Sequence, residues 1–305
     1  MLQTFFQALR DFVRSMTRRT PQTGPGKRTA PAMVAPLAAG YGLETGQFSD
    51  PGCVRKRNED SIALLRPAPG LTSEESLLAI VADGMGGHQA GDRASQLAVD
   101  CIRQSFAASS ASPDTSLAAA FQAANLAILN EASHDAALTG MGTTATALVL
   151  VDGRAWLAHV GDSRLYRLRR GQLEQLSEDH TLIMAMLKDG LITPQQAKDH
   201  PNRHVLNRAM GTRPHLDVLL APVDLAPDDI FLLCSDGLHD LIAPEEIRDC
   251  LLTRPPQASC AFLVALARSR GGYDNISVIV VHCGKPDALP SHFPTTRDVP
   301  KYCHD

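Results

Sequence analysis

The sequence has no hydrophobic run long enough to cross a membrane and no excess of positive charge. A bilayer-spanning helix needs about 20 consecutive apolar residues, and no segment of the 305-residue chain approaches that length. The N-terminus also lacks an apolar segment followed by a small-residue cleavage site. The formal net charge of −4 argues against a nucleic-acid partner, because proteins that bind nucleic acid usually carry a clustered basic excess. We therefore expect a cytoplasmic protein that is not exported and does not bind nucleic acid.

Closely spaced cysteines and two catalytic motifs are also missing. No cysteine pair has the spacing of a metal site or a redox motif, which fits a protein of the reducing cytosol. The chain has no G-x-S-x-G elbow, although Ser163 and Ser235 neighbour acidic residues, and this disfavours a Ser-His-Asp hydrolase. It has no G-x-x-x-x-G-K-[ST] segment, which disfavours a P-loop nucleotide enzyme. The seven cysteines are Cys53, Cys101, Cys234, Cys250, Cys260, Cys283 and Cys303.

The length of the chain and its 44% hydrophobic content allow one large domain flanked by tails. Residues 1–40 combine a basic amphipathic helix with a linker rich in Pro, Ala, Gly and Thr. The helix could lie on an anionic membrane surface, bind a partner or cover an apolar patch of its own protein, and these alternatives stay open. We assign residues 41–283 to the domain and residues 284–305 to a proline-containing tail.

The apolar pattern predicts antiparallel sheet with helices packed outside it. Several short apolar runs follow one another too closely for helical crossovers, which favours hairpins. One hairpin is predicted at Asp152-Gly153, a pair that favours the type I′ turn, and a second at Arg170-Gly171. These features predict an α+β layered domain and not a doubly wound parallel sheet. The predicted helices cover about residues 90–106, 116–131 and 257–269.

Acidic residues lie where the predicted strands begin or end. Asp83, Asp162 and Asp236 each end an apolar run. Asp60 and Asp274 each precede one. In an antiparallel sheet the beginning of one strand and the end of its neighbour share an edge. The five carboxylates are therefore expected to converge at one edge of the sheet.

Such a cluster of carboxylates implies bound divalent cations. Gathering like charges costs about several kcal/mol unless cations neutralise them. Mn²⁺ or Mg²⁺ is implied, because hard ions prefer oxygen ligands. Zinc is disfavoured, because the cluster lacks His and Cys ligands. Gly84 follows Asp83 directly, and a residue without a side chain lets its carbonyl turn toward a metal, so Gly84 is a candidate carbonyl ligand.

Six motifs occur in order along the chain and carry these residues. They are RKRNEDS at residues 55–61, VADGMGGHQAGDRAS at 81–95, MGTTATALV at 141–149, HVGDSRLYRLRRG at 159–171, LLCSDGLHD at 232–240 and YDNISVIVV at 273–281. In this order and spacing they resemble the bacterial metal-dependent protein phosphatases of the PP2C type. The resemblance extends from about residue 42 to residue 282.

The resemblance implies an α+β fold in the form of a four-layer α/β/β/α sandwich, with two antiparallel sheets flanked by helices and the metal centre at one end. It implies hydrolysis of phosphoserine and phosphothreonine monoesters in proteins by in-line attack of a water activated between two divalent ions. The partners that it implies are phosphorylated proteins, among them a serine/threonine kinase and its substrates.

The resemblance also assigns metal ligands. Asp83 is similar to the aspartate that bridges both metals in the family. Gly84 matches the glycine whose carbonyl binds one of them. Asp236 and Asp274 match ligands of the other metal.

Four further positions match the family's site. Glu59 and Asp60 match the acidic pair that holds the second ion directly or through water. Asp162 matches a residue linked in bacterial members to a third, weaker metal. Arg55 stands at the position of the phosphate-binding arginine, whose planar fork suits bidentate contact with phosphate oxygens. The expected catalytic residues are thus Arg55, Asp83 and Asp60.

The sequence departs from animal members of the family, which carry a histidine two positions after the bridging aspartate. Met85 occupies that position here, so the general acid is unassigned. His88 is a minor candidate for it, and a metal-bound water is the alternative. Residues 178–211 resemble the flap beside the metal site in bacterial members, and Met184 and Met186 within it are interpreted as packing residues.

Two other functions compete with protein dephosphorylation. A relative that has lost activity could survive as a binding module, but its usual sign is a missing ligand and none is missing here. The same metal centre could instead hydrolyse small phosphomonoesters or nucleotides, because it reads mainly the phosphate.

Overall fold

The computed structural model describes residues 42–66, 68, 70, 76–86, 90–198 and 200–284. The helix and linker predicted in residues 1–40, the predicted tail beyond residue 284 and His88 all lie outside the described residues. None of the helices within these ranges combines the length and the hydrophobicity that a membrane crossing demands.

The strands in this part of the chain form two sheets in which all neighbours are antiparallel. The first sheet contains, in spatial order, β1 (Gly42–Asp50), β11 (Ile276–Gly284), β10 (Asp229–Cys234), β7 (Arg164–Arg169) and β8 (Gln172–Gln175). The second contains β2 (Asp60–Leu65), β3 (Leu77–Met85), β5 (Ala145–Val151), β6 (Arg154–Val160) and β9 (Leu219–Val223), and the short β4 (Gly142–Thr143) pairs with β3.

Helices cover the outer faces of both sheets. The helix α1 (Ala90–Ala107) contacts β3 and α2 (Pro113–His134) on one side of the molecule, and α7 (Pro256–Ser269) contacts β1 and β11 on the other. This arrangement confirms the predicted α+β fold with four layers. The helices are α1 (Ala90–Ala107), α2 (Pro113–His134), α3 (Leu182–Lys188), α4 (Pro194–Lys198), α5 (Asp236–His239), α6 (Pro244–Thr253) and α7 (Pro256–Ser269), with one 3₁₀ turn at Ala136–Leu138.

The core lies between the two sheets. Leu77 and Val81 of β3 pack there with Phe231 of β10 and Ile279 of β11. Every residue of β3 from Leu77 to Ala82 is fully buried, because one face meets the opposite sheet and the other meets α1. Burial on both faces explains why this strand reads as a continuous apolar run.

The structure confirms the two predicted hairpin turns. Asp152 and Gly153 join β5 to β6 with φ angles of 50° and 68°. Arg170 and Gly171 join β7 to β8 with φ angles of 50° and 76°. Positive φ at both central residues is the geometry of a type I′ turn.

Three strand ends were predicted wrongly at the edge that carries the acidic residues, and one helix begins earlier than predicted. Asp83 does not end its strand, because Gly84 and Met85 continue β3 by pairing with β4. Asp162 and Asp236 do not end strands either, because β6 stops at Val160 and β10 stops at Cys234, and Asp236 is the first residue of α5. The predicted helix at residues 116–131 begins earlier, at Pro113, where proline suits the first turn of a helix.

Candidate metal centre

The acidic residues come together where the two sheets end on the same side. Asp60 begins β2 directly opposite Asp83 of β3 in the strand register. Asp236 follows β10, Asp274 precedes β11 and Asp162 follows β6. A cavity of about 790 Å³ opens at this edge. Its acidic lining residues are Glu59, Asp83, Asp162, Asp236 and Asp274.

Asp60 lies beneath the cavity lining and is buried. Its Oδ2 accepts a hydrogen bond of 2.8 Å from the Ser235 hydroxyl. Burial is the main cause that raises the pKa of Asp60 to about 7, hydrogen bonds from Ser277 and Ser235 lower it, and the charges of Asp236 and Asp274 raise it further.

The other carboxylates respond in the same way to burial and to one another. Burial raises the pKa of Asp83 well above its usual range, and the charges of Asp60 and Asp236 add to the rise. Burial and the charge of Asp236 raise the pKa of Asp162 to about 7. The pKa of Asp236 is raised, again mainly by burial. The site therefore holds more negative charge than the protein alone can stabilise.

Two carboxylate oxygens at this site have no donor. Asp60 Oδ1 and Asp236 Oδ1 are both buried, and no group among the described residues donates a hydrogen bond to either. A buried carboxylate oxygen without a partner costs about 1–3 kcal/mol or more. Cations would supply the missing partners. The oxygen-only donor set suits Mn²⁺ or Mg²⁺, so the residues present fit the predicted ions.

Gly84 and Glu59 face one small space beside Gly91. A Cβ atom built on Gly91 would lie 2.9 Å from the Gly84 carbonyl oxygen and 2.7 Å from Glu59 Oε2. Gly84 itself has no room for a side chain, because its Cβ would lie 2.0 Å from the Gly91 carbonyl oxygen. Because neither glycine has a side chain, the space between the Gly84 carbonyl oxygen and Glu59 Oε2 is not filled by a Cβ atom. This is consistent with the prediction that the Gly84 carbonyl binds a metal ion.

Arg55 lies at the mouth of the cavity. Its Nη2 donates a hydrogen bond of 2.6 Å to Asp274 Oδ2, and this contact is the main cause that raises the pKa of Arg55. About half of the arginine side chain is exposed, with a relative accessibility of 51%. The structure therefore brings Arg55 to the predicted carboxylates, within reach of a ligand that enters from solvent.

Hydroxyl groups support the central aspartates. The backbone N–H of Asp83 donates to Thr144 Oγ1 at 2.9 Å, and the hydroxyls of Thr144 and Ser163 lie 2.7 Å apart. Ser235 donates to Asp60. The two serines considered above for a hydrolase triad are thus buried hydrogen-bonding groups beside the carboxylates.

Sequence reasoning missed several residues of the site. Asn275 is buried, and its Oδ1 accepts a hydrogen bond of 2.7 Å from the backbone N–H of Glu59. His204 and Asp240 each bring a possible ligand atom to Asp236, and the three atoms lie within 4.8 Å of one another. The position of Asn275 beside Asp274 was a usable signal, whereas nothing local marks His204, which lies 32 residues before Asp236 in the chain.

Comparisons with known proteins identify relatives of this chain. The family model described as protein phosphatase 2C matches residues 56–262, which is more than half of the chain. The serine/threonine phosphatase stp of Listeria welshimeri is 35% identical over 239 residues, which cover 76% of this chain and 93% of that protein.

Two further comparisons involve PstP. The serine/threonine protein phosphatase PstP of Mycobacterium tuberculosis is 38% identical over 234 residues, which cover 76% of this chain but 43% of PstP. A solved structure of the catalytic domain of PstP in complex with two manganese ions matches with a TM-score of 0.70 at 35% identity, and the match covers 80% of this chain and 99% of that chain.

Proposed function

The chain belongs to the protein phosphatase 2C family and is a metal-dependent serine/threonine phosphatase, and we propose that it hydrolyses phosphoserine and phosphothreonine monoesters in proteins by in-line attack of water. The observation that carries this proposal is the cluster of buried carboxylates with unpartnered oxygens beneath the exposed Arg55. The substrates we propose are phosphorylated proteins, among them a serine/threonine kinase and its targets.

Each polar group at the cavity has a proposed role. When bound, two Mn²⁺ or Mg²⁺ ions would supply an activated water and neutralise charge on the phosphoryl oxygens. Asp83 would be a ligand of both ions, because the charges of four other aspartates, contributed by both sheets, act on its carboxylate. Asp162 would take part in a third, weaker site. The other proposed ligands are Gly84, Asp236, Asp274, Glu59 and Asp60.

Arg55 is proposed to hold the phosphoryl group during the reaction. Its guanidinium would exchange the contact with Asp274 for two hydrogen bonds to phosphate oxygens. The planar guanidinium favours this arrangement, because it can donate two parallel N–H bonds. Neutralising charge on the equatorial oxygens as it develops lowers the barrier to phosphoryl transfer.

The proposed function is tested by phosphate release from a phosphothreonine peptide. We expect turnover with added Mn²⁺ or Mg²⁺ and none in excess EDTA, because the proposed reaction needs a water activated by these ions. Restoring Mn²⁺ after EDTA is the control that separates metal removal from denaturation. A folded protein that releases no phosphate with either ion would overturn the proposal and leave the binding-module interpretation.

Replacing Arg55 with alanine is expected to lower kcat/KM by about 10- to 100-fold, because a charge-assisted bidentate contact contributes about 1.5–3 kcal/mol. Most of the loss should appear as a higher KM and as weaker inhibition by inorganic phosphate. Arg55→Lys should recover only part of it, because an ammonium cannot bind two oxygens in one plane. Arg103→Ala, at an exposed position of α1, is the matched control. An Arg55→Ala variant with unchanged kinetics would contradict the role.

A further inference from the structure

Cationic side chains surround the mouth of the cavity although the chain as a whole is acidic. The formal net charge is −4, and the carboxylates form the floor. Five lysine and arginine residues nevertheless line the same cavity, and we call them the basic rim. They are Arg55, Lys56, Arg57, Arg208 and Arg213.

Three members of the basic rim are neutralised by carboxylates. Among the residues that the structure describes, no carboxylate lies within ion-pair distance of the other two, Lys56 and Arg213, and both are exposed. These two side chains therefore present uncompensated positive charge to anything that enters the cavity. The neutralised pairs are Arg55–Asp274 at 2.6 Å, Arg57–Asp92 at 3.5 Å and Arg208–Asp217 at 2.9 Å.

The backbone that carries Lys56 is fixed by a buried side chain. Asn275 is 4% exposed. Its Nδ2 donates to the carbonyl oxygens of Pro51 and Arg57 at 2.9 Å and 2.8 Å. Its Oδ1 accepts from the backbone N–H of Glu59. One asparagine thus holds both ends of the loop that presents Lys56.

The backbone that carries Arg213 is fixed in a similar way from α2. Asn125 is fully buried, accepts from the backbone N–H of Gly211 at 2.8 Å and donates to the Arg213 carbonyl at 2.8 Å. Gln122, one turn earlier, donates to the Pro214 carbonyl at 2.8 Å. The two unpaired cations therefore project from backbone that is already ordered, which lowers the entropy lost when they bind a ligand.

We propose that Lys56 and Arg213 select phosphorylated segments that carry acidic side chains next to the phosphoserine or phosphothreonine. This inference rests on the proposed function and adds the substrate class. Without the basic rim, the carboxylate floor would repel an acidic segment. With it, carboxylates that flank the phosphorylated residue find cations at the mouth, and long-range attraction raises the rate of encounter.

The test compares two phosphothreonine peptides of equal length, one with aspartate and glutamate flanks and one with serine and alanine flanks. The readout is the ratio of their kcat/KM values in Mn²⁺, and turnover of p-nitrophenyl phosphate reports whether each variant keeps an intact centre. Wild-type protein should prefer the acidic peptide by about tenfold, and the preference should shrink as salt rises from about 0.05 M to about 0.5 M, because salt screens exposed charges.

Charge reversal provides the decisive variants. Lys56→Glu and Arg213→Glu should each lower the ratio by about threefold to tenfold, and together they should invert the preference. Lys56→Arg and Arg213→Lys should keep it. Arg154→Glu is the matched control, since Arg154 is exposed and lies at the end of β6 farthest from Asp162.

The outcomes distinguish a failure of this inference from a failure of the proposed phosphatase function on which it rests. Equal hydrolysis of both peptides by wild-type protein would overturn the inference and leave the proposed function standing. So would a fall in the ratio for Arg154→Glu as large as that for the variants of the basic rim. Failure to hydrolyse either peptide or p-nitrophenyl phosphate would overturn the proposed function, and the inference with it.

Discussion

Replacing Asp83 with asparagine is expected to lower kcat/KM for a phosphothreonine peptide by about a thousandfold, because loss of bound cations removes several kcal/mol of transition-state stabilisation. Asp83 is the position at which loss of a negative charge should weaken metal binding most. Four other aspartates act on its carboxylate through their charges, so it lies at the centre of the cluster. An amide keeps the shape of the side chain but not the negative charge that holds a divalent ion.

The fold should survive this substitution. The Asp83 backbone donates from its N–H to the Thr144 hydroxyl, and its carbonyl accepts from the Thr143 hydroxyl and the Thr144 backbone N–H. None of these hydrogen bonds involves the carboxylate. The metal-free variant should unfold at the same temperature as wild-type protein or higher, because one of several repelling charges is gone. Circular dichroism and phosphate release measured on the same samples check both statements.

The matched control is Asp249→Asn, which changes an exposed aspartate of α6 that does not line the cavity. It should retain wild-type activity. If Asp83→Asn kept more than about a tenth of the activity in Mn²⁺, the carboxylate would not be holding the catalytic ions, since a tenth corresponds to about 1.4 kcal/mol.

Features that depend on a few neighbouring residues could be predicted from the sequence. The Asp152-Gly153 turn follows from backbone preferences at two positions, and its observed φ angles are positive as a type I′ turn requires. The meeting of the acidic residues also followed from a local property, their position at the ends of apolar runs. Antiparallel pairing then brings Asp60 opposite Asp83.

Features that depend on distant residues could not be predicted in the same way. Arg55 and Asp274 are 219 positions apart, and the local sequence around neither residue indicates the hydrogen bond between them. The anchoring of Gly211 and Arg213 by Asn125 links a helix to a loop 86 residues away. Periodicity reports which face of an element is buried, but it does not report which polar partner a buried amide finds across the fold.

The exact ends of the elements at the metal centre form an intermediate case. The run that contains Asp83 was expected to stop there, because Asp-Gly commonly begins a turn. Pairing with β4 overrides that local preference and extends β3 to Met85. In the extended strand the Gly84 carbonyl oxygen lies beside Gly91, in the same small space as Glu59 Oε2.

The second large effect concerns the stability of the metal-free protein, which should fall as the pH rises above about 6.5. Burial, with neighbouring charges, raises the folded-state pKa of Asp60 and of Asp162 to about 7, against an ordinary value of 3.8. The folded state therefore binds more protons than the unfolded chain until the pH passes about 7. Whenever the folded state holds the extra protons, the free energy of unfolding decreases as the pH increases.

Two histidines act in the opposite direction, and their effect overlaps the lower end of this pH interval. Burial lowers the pKa of His159 to about 4 and that of His180 to about 3. The unfolded chain protonates these groups below about pH 6.5, so their effect makes the folded state more stable as the pH rises toward that value. Because both histidines are half protonated in the unfolded chain at about pH 6.5, each adds back about 0.4 kcal/mol of stability between about pH 6.5 and about pH 8.5. Variants that keep both histidines and lack one carboxylate therefore isolate the effect of that carboxylate.

We expect the metal-free protein to lose about 1 kcal/mol, and about 3 °C in unfolding temperature, between these two pH values, because the two carboxyls lose about 1.6 kcal/mol and the two histidines return about half of it. Saturating Mn²⁺ should raise the unfolding temperature at both and by more at the higher pH, because protons no longer compete with the ion for the carboxylates. Asp60→Asn and Asp162→Asn should each flatten the metal-free profile, whereas Asp249→Asn should not. A metal-free protein that became more stable from about pH 6.5 to about pH 8.5 would contradict this account of the cluster. In that case the unfolded chain would bind more protons than the folded state over this interval.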